Sequence, residues 1–182
     1  MTDAHIPPAA VVSSNDPDWS REHPLRLWDP SRRLLKAVRN YQALDGSTGF
    51  WSGFLRRLCV IRHRFWSVVA GAEIDLTTKI GGGLLLPHPN GIVIHPLAEI
   101  GPNCLIFQQV TLGTTARGGY PRIGGHVDIG AGARVLGEVV IGDHAVIGAN
   151  AVVLADVPPY GRAVGDPAVI TLRAQQAPDA PV

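Results

Sequence analysis

An aliphatic residue recurs at every sixth position over much of residues 74–158. A period of six fits neither an α-helix nor an amphipathic strand alone. It is typical of a parallel β-helix, in which each hexad forms a short strand and a turn and three hexads close one triangular coil. The pattern therefore predicts a mainly β protein built on a hexapeptide-repeat solenoid. The aliphatic positions are Ile74, Ile80, Leu86, Ile92, Ile94, Ile100, Ile106, Leu112, Ile123, Ile129, Val135, Ile141, Ile147 and Val153.

Smaller apolar residues occupy a second fixed place in the same repeat, and glycine often follows the aliphatic residue directly, as at Gly101 and Gly124. Glycine tolerates the backbone dihedral angles that a tight corner requires. We expect the aliphatic and small side chains to fill the interior of the prism, with Cys104 as a packing residue. A β-sandwich of short strands is the alternative, but it would not hold this period in phase for so long. The small positions are Ala98, Cys104, Val110, Val127, Ala133, Val139, Ala145, Ala151 and Val157.

Two helices are predicted before the repeats. Asp29 and Pro30 form a helix start, with aspartate as the N-cap and proline at the first helical position. A second helix is expected over 50–69, ended by Gly71. Its apolar stripe consists of Phe54, Leu58, Ile61, Phe65 and Val68.

The predicted organisation has four parts. Residues 1–24 have no periodicity and are expected to be a flexible lead-in, and the tail is polar and rich in Pro and Ala. The parts are the lead-in at 1–24, an α-helical region at 25–71, the β-helix domain at 72–170 with an inserted loop at 113–122, and a C-terminal tail at 171–182.

The two predicted helices hold half of the 16 Lys and Arg residues of the chain. One interpretation is the solvated face of a helical cap over the first coil, since solenoids need their ends covered. The other is a basic surface that lies on an anionic membrane, with Trp51 and Trp66 beside it. The cap is the simpler interpretation. A formal net charge of +1 gives no indication of nucleic-acid binding.

The two cysteines do not make a disulfide framework, and they fit a reducing cytosol. The first residues lack the basic start and apolar core of a signal peptide. No apolar run approaches the ~18 residues that a membrane span needs. We therefore expect a cytoplasmic protein.

One segment carries most of the chemistry, the run LPHPNG at 86–91. It places His88 at a coil corner between two prolines, and histidine is the side chain best suited to take a proton near neutral pH. His95 could line the same groove as His88, or it could be an ordinary surface histidine. His126 and His144 are expected to face solvent. The chain lacks the close His and Cys spacing of a zinc site, so no metal is expected.

Four segments resemble the serine acetyltransferase family of hexapeptide-repeat acyltransferases: GIVI at 91–94, QQVTLG at 108–113, IGAGA at 129–133 and IGANAVV at 147–153. The resemblance covers about residues 72–170. It implies a left-handed β-helix that forms a homotrimer, with active sites between neighbouring prisms. It also implies acetyl transfer from acetyl-CoA to a hydroxyl group, as in cysteine biosynthesis.

The resemblance also implies roles for individual residues. His88 corresponds to the general base, and Glu73 stands where the family has an aspartate that orients this base. Thr114, Ala131 and Ala149 correspond to positions that contact the CoA arm, largely through backbone groups.

The chain departs from the family at the substrate. Pro87 replaces an aspartate that helps to hold serine, and Tyr120 stands where the family has a second active-site histidine. Arg117 and Arg122 are candidates for a replacement contact to a carboxylate or phosphate. We therefore expect an O-acetyltransferase for serine or a serine-like molecule. The alternatives are a sugar or natural-product hydroxyl or amine as acceptor, and a non-catalytic trimeric scaffold.

Overall fold

A computed structural model describes residues 12–172, in which two helices lie at one end of a parallel β-solenoid of about five coils. The helices are α1 (Pro30–Gln42) and α2 (Phe50–Ala70), preceded by one 3₁₀ turn at Trp19–Glu22. The strands are β1 (Glu73–Ile74), β2 (Lys79–Ile80), β3 (Val93–Ile94), β4 (Glu99–Ile100), β5 (Leu105–Ile106), β6 (Thr111–Gly113), β7 (Arg122–Ile123), β8 (Asp128–Ile129), β9 (Arg134–Leu136), β10 (Val140–Ile141), β11 (Val146–Ile147), β12 (Val152–Val153), β13 (Gly161–Val164) and β14 (Val169–Leu172).

The strands form three flat faces of a prism. Face A has the order β1-β3-β6-β9-β12, face B has β10-β7-β4-β2, and face C has β14-β13-β11-β8-β5. All pairs are parallel except β13 with β14. On face A, Ile74 pairs with Ile94, which pairs with Leu112. Equivalent repeat positions therefore stack one coil above another, and the predicted solenoid is confirmed.

The interior of the prism is filled as the repeat predicts. All fourteen aliphatic residues and all nine small residues of the repeat are buried. Burying a side chain the size of isoleucine stabilises a fold by about 1.5–3 kcal/mol, so the stacked columns form the core. Cys104 is fully buried, and burial raises the pKa of its thiol to about 12. Its packing role is confirmed.

Three columns of turns join the faces, and each is named by the faces that it connects. Corner CA includes residues 87–91, 107–109, 130–132 and 148–150. Corner AB includes 95–97, 113–121 and 136–138. Corner BC includes 101–103, 124–126, 142–144 and 158–160.

Helix α1 begins as predicted and is tied to the first coil. The Asp29 carboxylate accepts a hydrogen bond from the backbone N–H of Arg32, and Pro30 is the first helical residue. The guanidinium of Arg39 donates to both carboxylate oxygens of Glu22, at 2.8 and 3.0 Å, and to the carbonyl oxygen of Ile80 at 2.6 Å. These bonds join the helix, the preceding turn and β2.

Helix α2 has nearly the predicted bounds and ends at Gly71, whose φ of +64° allows the left-handed cap. The sequence does not predict which side of α2 packs on the protein. The buried side of α2 consists of Cys59, Trp66 and Ala70. The predicted apolar stripe points away from the protein, and every member of it is exposed. Trp66, expected beside a membrane-facing surface, lies instead beneath the Arg33 guanidinium at 5.5 Å.

The described part of the predicted lead-in lies along corner BC. The side-chain amide of Asn103 donates to the carbonyl oxygens of Ser13 and Asp16 and accepts from the backbone N–H of Asp18, each at 2.8 Å. Asn103 is buried by these contacts. The first eleven residues and nearly all of the predicted tail lie outside the described residues.

Candidate active site

His88 lines a cavity of about 560 Å³ where the helical region meets the first coil. The walls are residues 25, 26 and 28–32, the end of α2 at Val69 and Ala70, and residues 87–90 of corner CA. The imidazole is exposed. Cavities of this volume are typical of small-molecule sites, so the candidate base lies where a small acceptor has room to bind.

The local sequence makes the His88 turn project from the prism. Pro87 and Pro89 restrict the backbone on both sides of the histidine. Gly91 ends the turn with a φ of +74°, and its backbone N–H donates to the carbonyl oxygen of Gly71 at 2.7 Å. The turn is therefore anchored at its end and stiff in its middle, which presents the imidazole to solvent.

Glu73 lies at the same edge of face A. It begins β1 and is paired with Val93, and its backbone N–H donates to the carbonyl oxygen of Ile92 at 2.8 Å. Its carboxylate is exposed. Within residues 12–172, no hydrogen bond joins this carboxylate to the His88 imidazole. Orientation of His88 by Glu73 therefore stays a prediction.

Ala131 and Ala149 lie on corner CA, the same edge as His88, in later coils. The carbonyl oxygen of Ala131 accepts a hydrogen bond from the backbone N–H of Asn150 at 2.8 Å. A Cβ added to Gly130 would lie 2.6 Å from the backbone nitrogen of Ala149, so the coils approach closely here. Ala131 is half-buried and Ala149 is exposed, and their small side chains leave room for a thin, flexible arm along this edge.

The other predicted site residues lie at corner AB, across face A from His88. Thr114, Arg117 and Tyr120 belong to the inserted loop, and Arg122 begins β7 on face B. The Tyr120 ring stacks on His95, with 4.4 Å between ring centroids. His95 therefore does not share the groove of His88 in this chain, because β3 crosses face A between the two histidines. One protomer alone does not bring the two groups together.

Two histidines that were expected to face solvent instead contact each other on corner BC. The Nδ1 atoms of His126 and His144 are 2.8 Å apart, and the His144 ring stacks on Tyr160. Burial, the largest cause, lowers the pKa of His126, while the Asp128 carboxylate opposes that shift. The signal was present in the sequence: the two histidines are eighteen residues apart, which is one coil.

Sequence reasoning missed two residues in the wall of the His88 cavity. Arg26 and Trp28 lie in the irregular segment before α1, where no period fixes a position. Both are exposed. They add a positive charge and an aromatic surface to the cavity. Among residues 12–172, no group of three or more His, Cys, Asp or Glu side chains is arranged to hold a metal ion.

Comparisons with known proteins agree with this geometry. The family model described as bacterial transferase hexapeptide (six repeats) matches residues 120–155. Serine acetyltransferase 5 of Arabidopsis thaliana is 45% identical over 130 residues, which are 70% of this chain and 42% of the relative. Over 70% of its length, this chain is similar to serine acetyltransferases. Its fold is accordingly the left-handed parallel β-helix with a small helical cap, as the sequence predicts.

Solved structures of serine acetyltransferases superpose on this chain. The soybean enzyme complexed with serine has a TM-score of 0.66 at 38% identity, covering 78% of this chain and 57% of the soybean chain. A serine acetyltransferase in complex with CoA has a TM-score of 0.66 at 34% identity, covering 80% of this chain and 58% of the other. The chain spans about half the length of the curated relatives that it matches.

Proposed function

We propose that this protein is an acetyl-CoA-dependent O-acetyltransferase that acts on the hydroxyl group of serine or a serine-like small molecule. The observation that carries the proposal is the composition of corner CA. His88 projects beside a cavity of small-molecule size, and it shares this edge with Ala131 and Ala149, which lie on closely stacked coils. The resemblance to serine acetyltransferases, with complexes that contain serine and CoA, supports the same reading.

In the proposed reaction, the His88 imidazole removes the proton from the acceptor hydroxyl as its oxygen attacks the thioester carbonyl carbon of acetyl-CoA. The carbon–sulfur bond then breaks, and the imidazolium returns the proton to the leaving CoA thiolate. Glu73 would hold the imidazole tautomer and stabilise its positive charge. Backbone N–H groups beside the site would stabilise the tetrahedral oxyanion, which is typically the largest electrostatic contribution.

The separation of the site residues supports a homotrimer as part of the proposal. His88 lies at corner CA, and Thr114, Arg117, Tyr120 and Arg122 lie around corner AB. A three-fold arrangement of parallel prisms with face A turned to the axis would bring corner AB of one protomer towards corner CA of the next. The inserted loop would then close the acceptor site from the neighbouring chain, while Ala131 and Ala149 line the path of the CoA arm.

The test is release of free CoA thiol from acetyl-CoA in the presence of serine. We expect His88→Ala to lower kcat/KM by about a hundredfold or more, the usual contribution of a general base. His23→Ala is the control, because His23 is an exposed histidine on the N-terminal segment. Circular dichroism and light scattering would establish that both variants keep the fold and mass of the parent. Near-parent turnover by a folded His88→Ala protein would remove His88 from this role.

A second acceptor class is favoured by the two replacements at the substrate side. Pro87 has no charged group for an amino acid, and Tyr120 forms an aromatic stack with His95 where the family has a second histidine. Aromatic surfaces of this kind suit the apolar faces of a sugar ring. An acceptor panel distinguishes the two classes: CoA release with a sugar and none with serine would support the sugar hydroxyl, and the reverse would support serine.

A further inference from the structure

Helix α2 exposes a continuous apolar face along its whole length. Eight large apolar side chains on it are between 43% and 84% exposed. At 100° per residue, they fall within an arc of roughly 140° around the helix axis. Exposed apolar surfaces of this extent mark interaction sites in soluble domains. The eight residues are Phe50, Trp51, Phe54, Leu55, Leu58, Ile61, Phe65 and Val68.

The apolar face continues beyond the helix. Trp28, which is exposed, packs edge-on against Trp66 with 5.6 Å between ring centroids, and Phe65 packs on the same ring at 5.0 Å. Leu27, which directly precedes Trp28, is also exposed. The segment before α1 therefore extends the surface towards the cavity beside His88.

Positive charge borders this face. Arg57 and Arg64 are exposed and lie next to one edge of the apolar arc, and Arg62, which is half-buried, lies within the arc close to its other edge. None of the three makes an ion pair within residues 12–172, whereas Arg56 is occupied by the carbonyl oxygen of Leu44 on the protein side. The sequence of α2 has no Asp or Glu. An apolar helix face with arginines beside it and no carboxylate on the helix fits an anionic partner.

We propose that α2 lies in the plane of an anionic membrane surface, with its apolar face among the lipid tails and its edge arginines on the lipid phosphates. Helices that bind membrane interfaces combine an aromatic and aliphatic face with a basic one. No described helix is long and apolar enough to span a membrane, so α2 would lie on the bilayer rather than cross it.

A second copy of the chain fits this face less well. In a two-fold contact the same face meets itself, which would bring the arginine edges of two α2 helices together without a carboxylate on either helix. Contact with a different part of another copy needs a matching apolar stripe. Outside α2 and the segment before α1, the exposed large apolar residues of the described region are scattered along the prism: Val93, Leu97, Val140, Leu154, Tyr160, Val164, Val169 and Leu172.

The proposal is tested by co-sedimentation of the full chain with phosphatidylcholine vesicles, with and without phosphatidylglycerol. We expect binding only to the anionic vesicles, weakened by salt. Replacing Arg57 and Arg64 by glutamine should lower the partition coefficient by about fivefold for each arginine. The variant Phe54→Ser/Ile61→Ser should lower it by at least about tenfold, since both side chains leave the apolar phase.

Matched controls lie far along the solenoid. Leu154→Ser and Arg162→Gln replace an exposed leucine and an exposed arginine outside the helical region, and both should bind vesicles as the parent does. Light scattering of every variant measures the oligomeric mass and so tests whether a second copy of the chain covers α2 instead. If Phe54→Ser/Ile61→Ser changes the oligomeric mass while the parent ignores anionic vesicles, α2 is an interface between copies and the proposal is wrong. The proposal would also be wrong if the arginine variant and the Phe54→Ser/Ile61→Ser variant, both on α2, bound anionic vesicles as strongly as the parent does.

Discussion

The side chain of Asn103 should hold the N-terminal segment on the prism, and its removal offers a quantitative test of the fold. The amide makes three hydrogen bonds of 2.8 Å to residues 13–18, and the residue is 1% exposed. Its φ is +59°, a value that glycine adopts without strain. Asn103→Gly therefore deletes the three bonds while keeping the backbone of corner BC.

The expected magnitude follows from those bonds. A typical intramolecular hydrogen bond contributes about 0.5–1.5 kcal/mol net, so three contribute about 2–4 kcal/mol to docking of the segment. Residues 13–18 can detach without unfolding the coils, because their described hydrogen bonds to the prism are the three made by the Asn103 side chain. Native-state hydrogen exchange measures such local opening. We expect the backbone amide of Asp18 to exchange at least about thirtyfold faster in Asn103→Gly than in the parent.

The control is Asn150→Gly. Asn150 has a φ of +55° and is exposed, and its side chain makes no hydrogen bond within residues 12–172. This variant relieves the same backbone conformation without deleting a contact, so exchange at Asp18 should not change. If Asp18 exchanges at the parental rate in Asn103→Gly, or faster in both variants, the side-chain bonds do not hold the segment.

Two further predictions concern corner BC and the close approach of the coils. Burial lowers the pKa of His126 below the usual ~6.5, so the unfolded chain binds more protons than the folded one, and stability should fall as pH drops below 6.5. The urea midpoint should therefore fall more between pH 7.5 and 5.5 for the parent than for His126→Asn. Equal falls in the two proteins would contradict this prediction. A Cβ added to Gly101 would lie 2.5 Å from backbone of the next coil, whereas one at Gly53 in α2 meets nothing within 4 Å. Gly101→Ala should therefore lower the free energy of unfolding by about 1–3 kcal/mol, and Gly53→Ala should raise it by about 0.5–1 kcal/mol. If urea unfolding shows that both variants change the free energy of unfolding in the same direction, the packing argument is wrong.

The sequence predicts the solenoid well because its information is periodic. A hexad period places Ile106 and Ile129 inside the prism whatever their distant neighbours are, and both are fully buried. The helix start at Asp29 depends on local hydrogen bonds alone, so a local pattern suffices there. The same period also predicts that His126 and His144 stack, because eighteen residues make one coil.

The surroundings of the site were less predictable. An apolar stripe shows that α2 has two sides, but not which side packs on the protein, and the buried side relies on Cys59, Trp66 and Ala70. The cavity beside His88 combines an irregular segment with two helix ends that are distant in sequence. The position of these cavity walls depends on tertiary packing, and neither the repeat period nor helix propensity contains information about it.

The antiparallel pairing of β13 with β14 has a consequence for how molecules stack. A parallel solenoid ends in unpaired backbone groups, on which another copy could build a fibre coil by coil. On face C the chain reverses, and Leu172 returns to pair with Gly161. An incoming copy in the same orientation would meet a strand of opposite polarity there, so growth into a continuous filament is discouraged at that end.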